Sequence, residues 1–131
     1  MASFLITGAS RGFGLALTRE LVSRPASEVG HHYCHGARRL PDLNKIAKRP
    51  SGRVVVVKLD VTDDASVKKA AAEVEAKLGA KGLDVLINNA GVCQYAPDST
   101  NSIDNLQESF DINVLGVHRV IRAFPPLLHV R

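Results

Sequence analysis

Short apolar runs alternate with amphipathic stretches along this chain. Phe4-Leu5-Ile6 comes first, then the β-branched run Val54-Val55-Val56-Val57 between Pro50-Ser51-Gly52 and Asp60, then Leu83-Asp84-Val85-Leu86-Ile87, entered through Gly79 and Gly82. Runs of this length bounded by turn residues predict strands, and Val54–Val57 reads as a buried central one. Between the second and third runs, Val67, Ala70, Ala71, Val74 and Leu78 recur on one helical face, with Lys68, Lys69, Glu73, Glu75 and Lys77 mostly outward. Thr62, Asp63 and Asp64 give that helix a cap and an acidic first turn, and Gly79 closes it. From about Ile103 to Leu128 the period is again helical, with Leu106, Phe110, Ile112, Leu115, Ile121 and Phe124 as apolar anchors, until Pro125-Pro126 interrupts it.

A further strand is expected at Val29-Gly30-His31-His32-Tyr33-Cys34-His35, although three histidines break the aliphatic run that a central parallel strand favours. Metal binding there is not expected. In an extended strand His31 and His35 stand about 13 Å apart, and His32 and Cys34 face the other way, so one ion cannot easily collect them. A locally irregular strand is the better account. The alternation β-α-β-α-β-α-β-α predicts an α/β fold, a parallel sheet covered on both faces, and right-handed crossovers stack its strands 3-2-1-4. That is half of a doubly wound, Rossmann-like fold, and the chain reads as one incomplete dinucleotide-binding domain over residues 1–131, ending after the fourth strand and its helix.

The chemistry concentrates behind the first strand, at Thr7-Gly8-Ala9-Ser10-Arg11-Gly12-Phe13-Gly14. A strand running into a glycine-rich turn that opens a helix brings backbone N–H groups and a helix N-terminus against a pyrophosphate. Gly8 allows the tight turn, Gly12 keeps a Cβ out of the path of phosphate, and Gly14 lets the helix lie close to the sheet. Leu17 and Leu21 continue the helix face that Gly14 begins.

Composition narrows the setting. The chain has 131 residues, 45% hydrophobic and 23% charged, ordinary for one globular domain. No apolar run approaches the roughly 20 residues of a bilayer span, so membrane insertion is not expected. Met1-Ala2-Ser3 leads directly into the first strand without a secretory leader, which makes the cytoplasm the expected location. Cys34 and Cys93 are isolated and read as reduced thiols. The net charge of +4 comes from scattered Lys and Arg with no aromatic stacking platform, so a nucleic-acid partner is not expected.

Three separated motifs then agree. Thr7 to Gly14, Asp60-Val61-Thr62 after the third strand and Asn88-Asn89-Ala90-Gly91 after the fourth together resemble the short-chain dehydrogenases/reductases, and the wording is similar to fungal members described as C-factor-like. The resemblance covers nearly the whole chain. It implies cofactor contacts at Gly8, Ser10, Arg11, Gly12, Phe13 and Gly14, an Asp60 carboxylate accepting from the adenine amino group, Val61 backbone contacts to the base, and Asn89, Ala90 and Gly91 lining the adenosine ribose. Asn113, in Asp111-Ile112-Asn113-Val114, corresponds to the Asn of the family's catalytic tetrad, where it helps hold a proton-relay water. Charge then selects the cofactor: an NAD enzyme places an acid about 20 residues past the glycine turn, whereas positions 34 to 39 are Cys-His-Gly-Ala-Arg-Arg. Arg38, seconded by Arg11 and Arg39, favours NADP.

The resemblance also implies groups that these residues do not contain. Hydride transfer to or from a carbonyl or alcohol in this family uses a Ser and a Tyr-x-x-x-Lys pair on a helix after a fifth strand. Here the residues four beyond Tyr33 and Tyr95 are Ala37 and Ser99. Without the acid/base, losses of about 10²–10⁴ from proton transfer alone are expected. The Leu83–Ile87 strand, lacking a fifth strand beside it, should present an apolar edge, and association of copies through that edge or the last helix is expected. Three functional readings follow: the N-terminal half of an NADP-dependent oxidoreductase; a non-catalytic nucleotide-binding or protein-interaction module; and, more weakly, an S-adenosylmethionine methyltransferase, which wants an acid where Arg38 stands.

Overall fold

Four parallel strands lie side by side in the order β3-β2-β1-β4, as the crossover rule requires. They are β1 (Ala2–Ile6), β2 (Val29–His35), β3 (Val54–Val57) and β4 (Val85–Ile87), connected through α1 (Gly12–Ser23), α2 (Pro41–Ala47) and α3 (Asp64–Leu78). After β4 come α4 (Leu106–Phe110), a π turn (Asp111–Leu115), α5 (Gly116–Ala123) and a 3₁₀ turn (Pro125–Leu127). This computed structural model describes residues 1–35, 41–93 and 105–128, with residues 31–35 as backbone alone.

Alternation along the strands sends neighbouring residues to opposite faces. Leu5, Val57 and Leu83 join α3 and α5 in one core, with Val67, Val74, Val120 and Phe124 at its centre. Ile6, Val54 and Ala9 join α1 and α2 in the other, with Leu15, Val22, Leu43 and Ile46. Leu17 and Leu21 pack at the margin of that second core, on the α1 face expected of them. Each of the five residues expected on the inner face of α3 is buried. Asp63 caps that helix by accepting from the Ala65 N–H at 3.0 Å, and Gly79 ends it with φ +58°.

Several expectations need correction. Val54–Val57 lies at an edge of the described sheet, with its two middle valines half-buried. Local composition reports hydrophobicity, whereas sheet position depends on crossovers elsewhere. β2 does form over Val29–His35, and a register irregularity between Ala2 and Phe4 interrupts its pairing with β1. The fourth strand is shorter than expected, and Leu83 instead makes a parallel bridge with Leu128, its N–H donating to the Leu127 carbonyl at 2.6 Å. At Leu83, therefore, the expected bare edge is absent.

The last helical segment differs most. Phe124 is buried and Ile112 packs on the core, but Leu106, Phe110, Leu115 and Ile121 are 40–65% exposed. The π turn takes up an extra residue, which rotates the inward face onto Gly116, Val120 and Phe124. Ile103 lies outside the described residues. Among the described residues, no helix is long and apolar enough to cross a membrane.

Candidate dinucleotide site

The turns after β1 and β4 are locked together by one buried hydroxyl. Thr7 is 1% exposed, and its Oγ1 accepts from the Asn89 and Ala90 N–H groups, both at 3.0 Å. Its own N–H donates to the Ile87 carbonyl at 3.0 Å. The Asn89 side chain returns the contact, Nδ2 donating to the Thr7 and Gly8 carbonyls at 3.1 Å each. Two loops more than 80 positions apart in sequence thereby become one body.

Glycine is required where these loops meet. Gly8 has φ +67°, and a Cβ there would stand 2.7 Å from the Ala90 Cα. A Cβ on Gly14 would run into Asn89 Nδ2 and the Gly8 carbonyl, so the close approach at Gly14 is to the two turns. Thr18, fully buried one turn later, donates to the Gly14 carbonyl at 2.8 Å. Gly12 is different. Its φ of +55° calls for glycine, yet nothing lies within 4 Å of where its Cβ would project.

That open space lies at the N-terminus of α1. Arg11, the N-cap, is extended and supplies no side-chain cap, and the first turn carries no acid. Arg11, Gly12 and Phe13 are exposed, Phe13 to 73%, and Ser10 is half-buried. A helix start without a capping carboxylate or hydroxyl, fronted by a residue without a Cβ, suits an anion held by backbone N–H groups. A pyrophosphate fits these residues.

A second turn flanks the first. Asp60 is exposed at the end of the β3 segment, and its Oδ1 accepts from the Thr62 N–H at 2.9 Å and the Thr62 hydroxyl at 2.7 Å. The Asp60 N–H donates to Ser66 Oγ at 2.8 Å. Val61 is buried beneath α5, where a Cβ on Gly116 would stand 2.9 Å from Val61 Cγ2. Past β4, the Asn113 amide pairs with one backbone residue at both ends: Val92 N–H donates to Oδ1 at 2.8 Å, and Nδ2 donates to the Val92 carbonyl at 2.7 Å. Asn113 thus tethers the segment after Gly91 to the π turn.

The structure brings Gly8, Gly14, Asn89 and Ala90 into one cluster and sets Gly91 beside Asn113, where a Cβ on Gly91 would lie 3.2 Å from Oδ1. Arg38, Arg39 and Tyr95 lie outside the described residues, as do the side chains of His31, His32, Tyr33, Cys34 and His35. Cys93 is an exposed free thiol. Sequence reasoning gave no role to the Thr7 hydroxyl or to Arg119. The first had a signal: a threonine between an apolar strand and a glycine turn is buried, and a buried hydroxyl needs partners.

A parallel sheet ordered β3-β2-β1-β4, with a glycine turn at the carboxyl end of β1 feeding a helix N-terminus, defines a Rossmann-type dinucleotide-binding fold. Residues 2–131 match the family model described as short chain dehydrogenase, and the chain belongs to that family. It is 31% identical over 127 residues to norsolorinic acid ketoreductase nor1 of Dothistroma septosporum, covering 96% of this chain and 47% of that protein. With the NADPH-dependent 3-dehydrocapnine reductase of Ornithobacterium rhinotracheale the identity is 30% over 110 residues, covering 84% and 37%. The crystal structure of an NADPH-bound carbonyl reductase from chicken fatty liver superposes with a TM-score of 0.86 at 32% identity, over 97% of this chain and 48% of that one. The chain spans at most about half the length of these proteins.

Proposed function

We propose that residues 1–131 form one dinucleotide-binding unit that holds NADP(H) across the carboxyl ends of β1 and β4, and that it serves an oxidoreductase acting on a carbonyl or alcohol. The carrying observation is the open, Cβ-free front of Gly12 at the start of α1, on loops latched by Thr7 and Asn89. When bound, NADP(H) supplies or takes up a hydride. Gly8, Ser10, Arg11, Gly12, Phe13 and Gly14 bind its pyrophosphate and adjoining ribose, Arg11 and Arg38 meet the 2′-phosphate, and Asn89, Ala90 and Gly91 line the adenosine ribose. Asp60 accepts from the adenine amino group, with the Val61 backbone beside the base. Asn113 has a supporting part, steadying the segment that follows Gly91. The NADPH named for two of the similar proteins supports the cofactor, and the exposed free thiol of Cys93 suits the reducing cytoplasm.

Neither tyrosine here has a lysine four residues on. These 131 residues by themselves are therefore expected to bind cofactor without reducing a carbonyl, and the same observation favours a second reading, a non-catalytic nucleotide-binding module. Calorimetric titration of the purified chain with NADPH and NADH tests the cofactor assignment. NADPH should bind at least tenfold tighter, and Arg38→Ala should remove most of that difference. Tighter binding of NADH, with a ratio indifferent to Arg38→Ala, would refute it. A second copy is proposed to dock on the exposed apolar residues Leu106, Phe110, Val114 and Ile121. Light scattering should give a dimer mass, and a monomer at high concentration would contradict this.

A further inference from the structure

We propose that Arg119 is a positioning residue that aims the Asp60 carboxylate, and so sets how strongly the site distinguishes adenine from a purine lacking the 6-amino group. The inference rests on the assignment of Asp60 given above. Arg119 reaches from α5 to the Asp60 turn, its NH1 donating to the Val61 carbonyl at 3.1 Å. That carbonyl and the Thr62 N–H belong to one peptide plane, and the Thr62 N–H donates to Asp60 Oδ1 at 2.9 Å. A peptide group is rigid, so holding its oxygen fixes the direction of its N–H. The guanidinium therefore acts on the carboxylate through a single planar unit.

Arg119 is itself held. Its NH2 pairs with Asp111 Oδ1 at 2.8 Å, and its NH1 also approaches the Asp111 carbonyl at 3.5 Å. The two side chains are only 19% and 34% exposed, so water screens the pair less than it would on the open surface. Asp111 and Arg119 are eight residues apart, about one more than two α-helical turns, and the π turn between them absorbs the difference. The Gly116 N–H donates to the Asp111 carbonyl five residues back, and Gly116 leaves the room in which α5 settles against Val61. A forked donor is needed to hold the Val61 carbonyl and the Asp111 carboxylate together, which a lysine ammonium does less well.

Calorimetry on the full chain with two probes tests this: NADPH, and its hypoxanthine counterpart, in which a carbonyl replaces the 6-amino group. The unmodified chain should favour NADPH by about tenfold, the worth of one charge-assisted hydrogen bond. Arg119→Met should reduce that ratio to about twofold or less, and Arg119→Lys should restore part of it. Asp111→Asn should fall between the unmodified chain and Arg119→Met. A ratio still near tenfold in Arg119→Met, with both affinities lowered together, would overturn the inference and leave Arg119 a merely structural residue. Should Arg119→Met fail to fold, Arg119→Lys and Asp111→Asn decide, and an unchanged ratio in both overturns it. Equal binding of the two probes by the unmodified chain would overturn the Asp60 assignment and the inference with it. No binding of NADPH at all would overturn the proposed function as well.

Discussion

The two ends of the candidate site are built by different means. At the glycine turn, position is set by backbone and by missing side chains: Gly8 and Gly14 let two loops interpenetrate, and Thr7 and Asn89 close the gap with hydrogen bonds to main chain. At the Asp60 turn, position passes along polar side chains, from Asp111 to Arg119 and through the Val61–Thr62 peptide to the carboxylate. Missing side chains and hydrogen bonds to main chain hold the first; an ion pair and a relay of side-chain contacts hold the second. Substitutions where Gly8 and Gly14 meet the facing loop should therefore be all-or-none, whereas those at the Asp60 end should be graded.

The sharpest break of this contrast is within the glycine turn itself. Gly14→Ala places a Cβ onto the Gly8 carbonyl and the Asn89 amide, so it should cost about 3 kcal/mol, lower the melting midpoint by about 10 °C and abolish NADPH binding. Gly12→Ala meets no neighbour, so it should cost only about 1 kcal/mol for its left-handed backbone. It should nonetheless weaken NADPH binding by tenfold or more, because the methyl group stands where phosphate must approach. Thermal melts and titrations of both variants check the pair. Undiminished NADPH binding by a folded Gly12→Ala variant would mean that Gly12 has no part in the site. Smallest is the change at Arg119, which should alter the ratio between two bases while leaving the pyrophosphate end untouched.

Much of the architecture was legible in the chain because it is encoded locally. The inner face of α3 followed residue by residue from period and caps, since Asp63 and Gly79 act within one turn of their own positions. Strand order followed from crossover handedness, and the glycine turn from its place behind an apolar strand. What escaped was non-local or irregular. The Thr7 latch joins residues 82 and 83 positions apart, which no window along the sequence can see. A straight 3.6-residue repeat makes Leu106, Phe110, Leu115 and Ile121 apolar anchors, whereas past the π turn the buried face is Gly116, Val120 and Phe124, and those four are exposed. The same turn aligns Asp111 with Arg119, and a regular period hides that pairing.

Backbone amide shifts test the central claim most directly. NADPH added to the ¹⁵N-labelled chain should move the amide resonances of Gly8, Ser10, Gly12, Phe13 and Gly14 in a saturable way. Gly82, whose carbonyl accepts from Ser3 Oγ beside the opposite end of β1, should stay still. Saturable binding that moved Gly82 and left Gly12 to Gly14 unchanged would place the cofactor elsewhere and contradict the account.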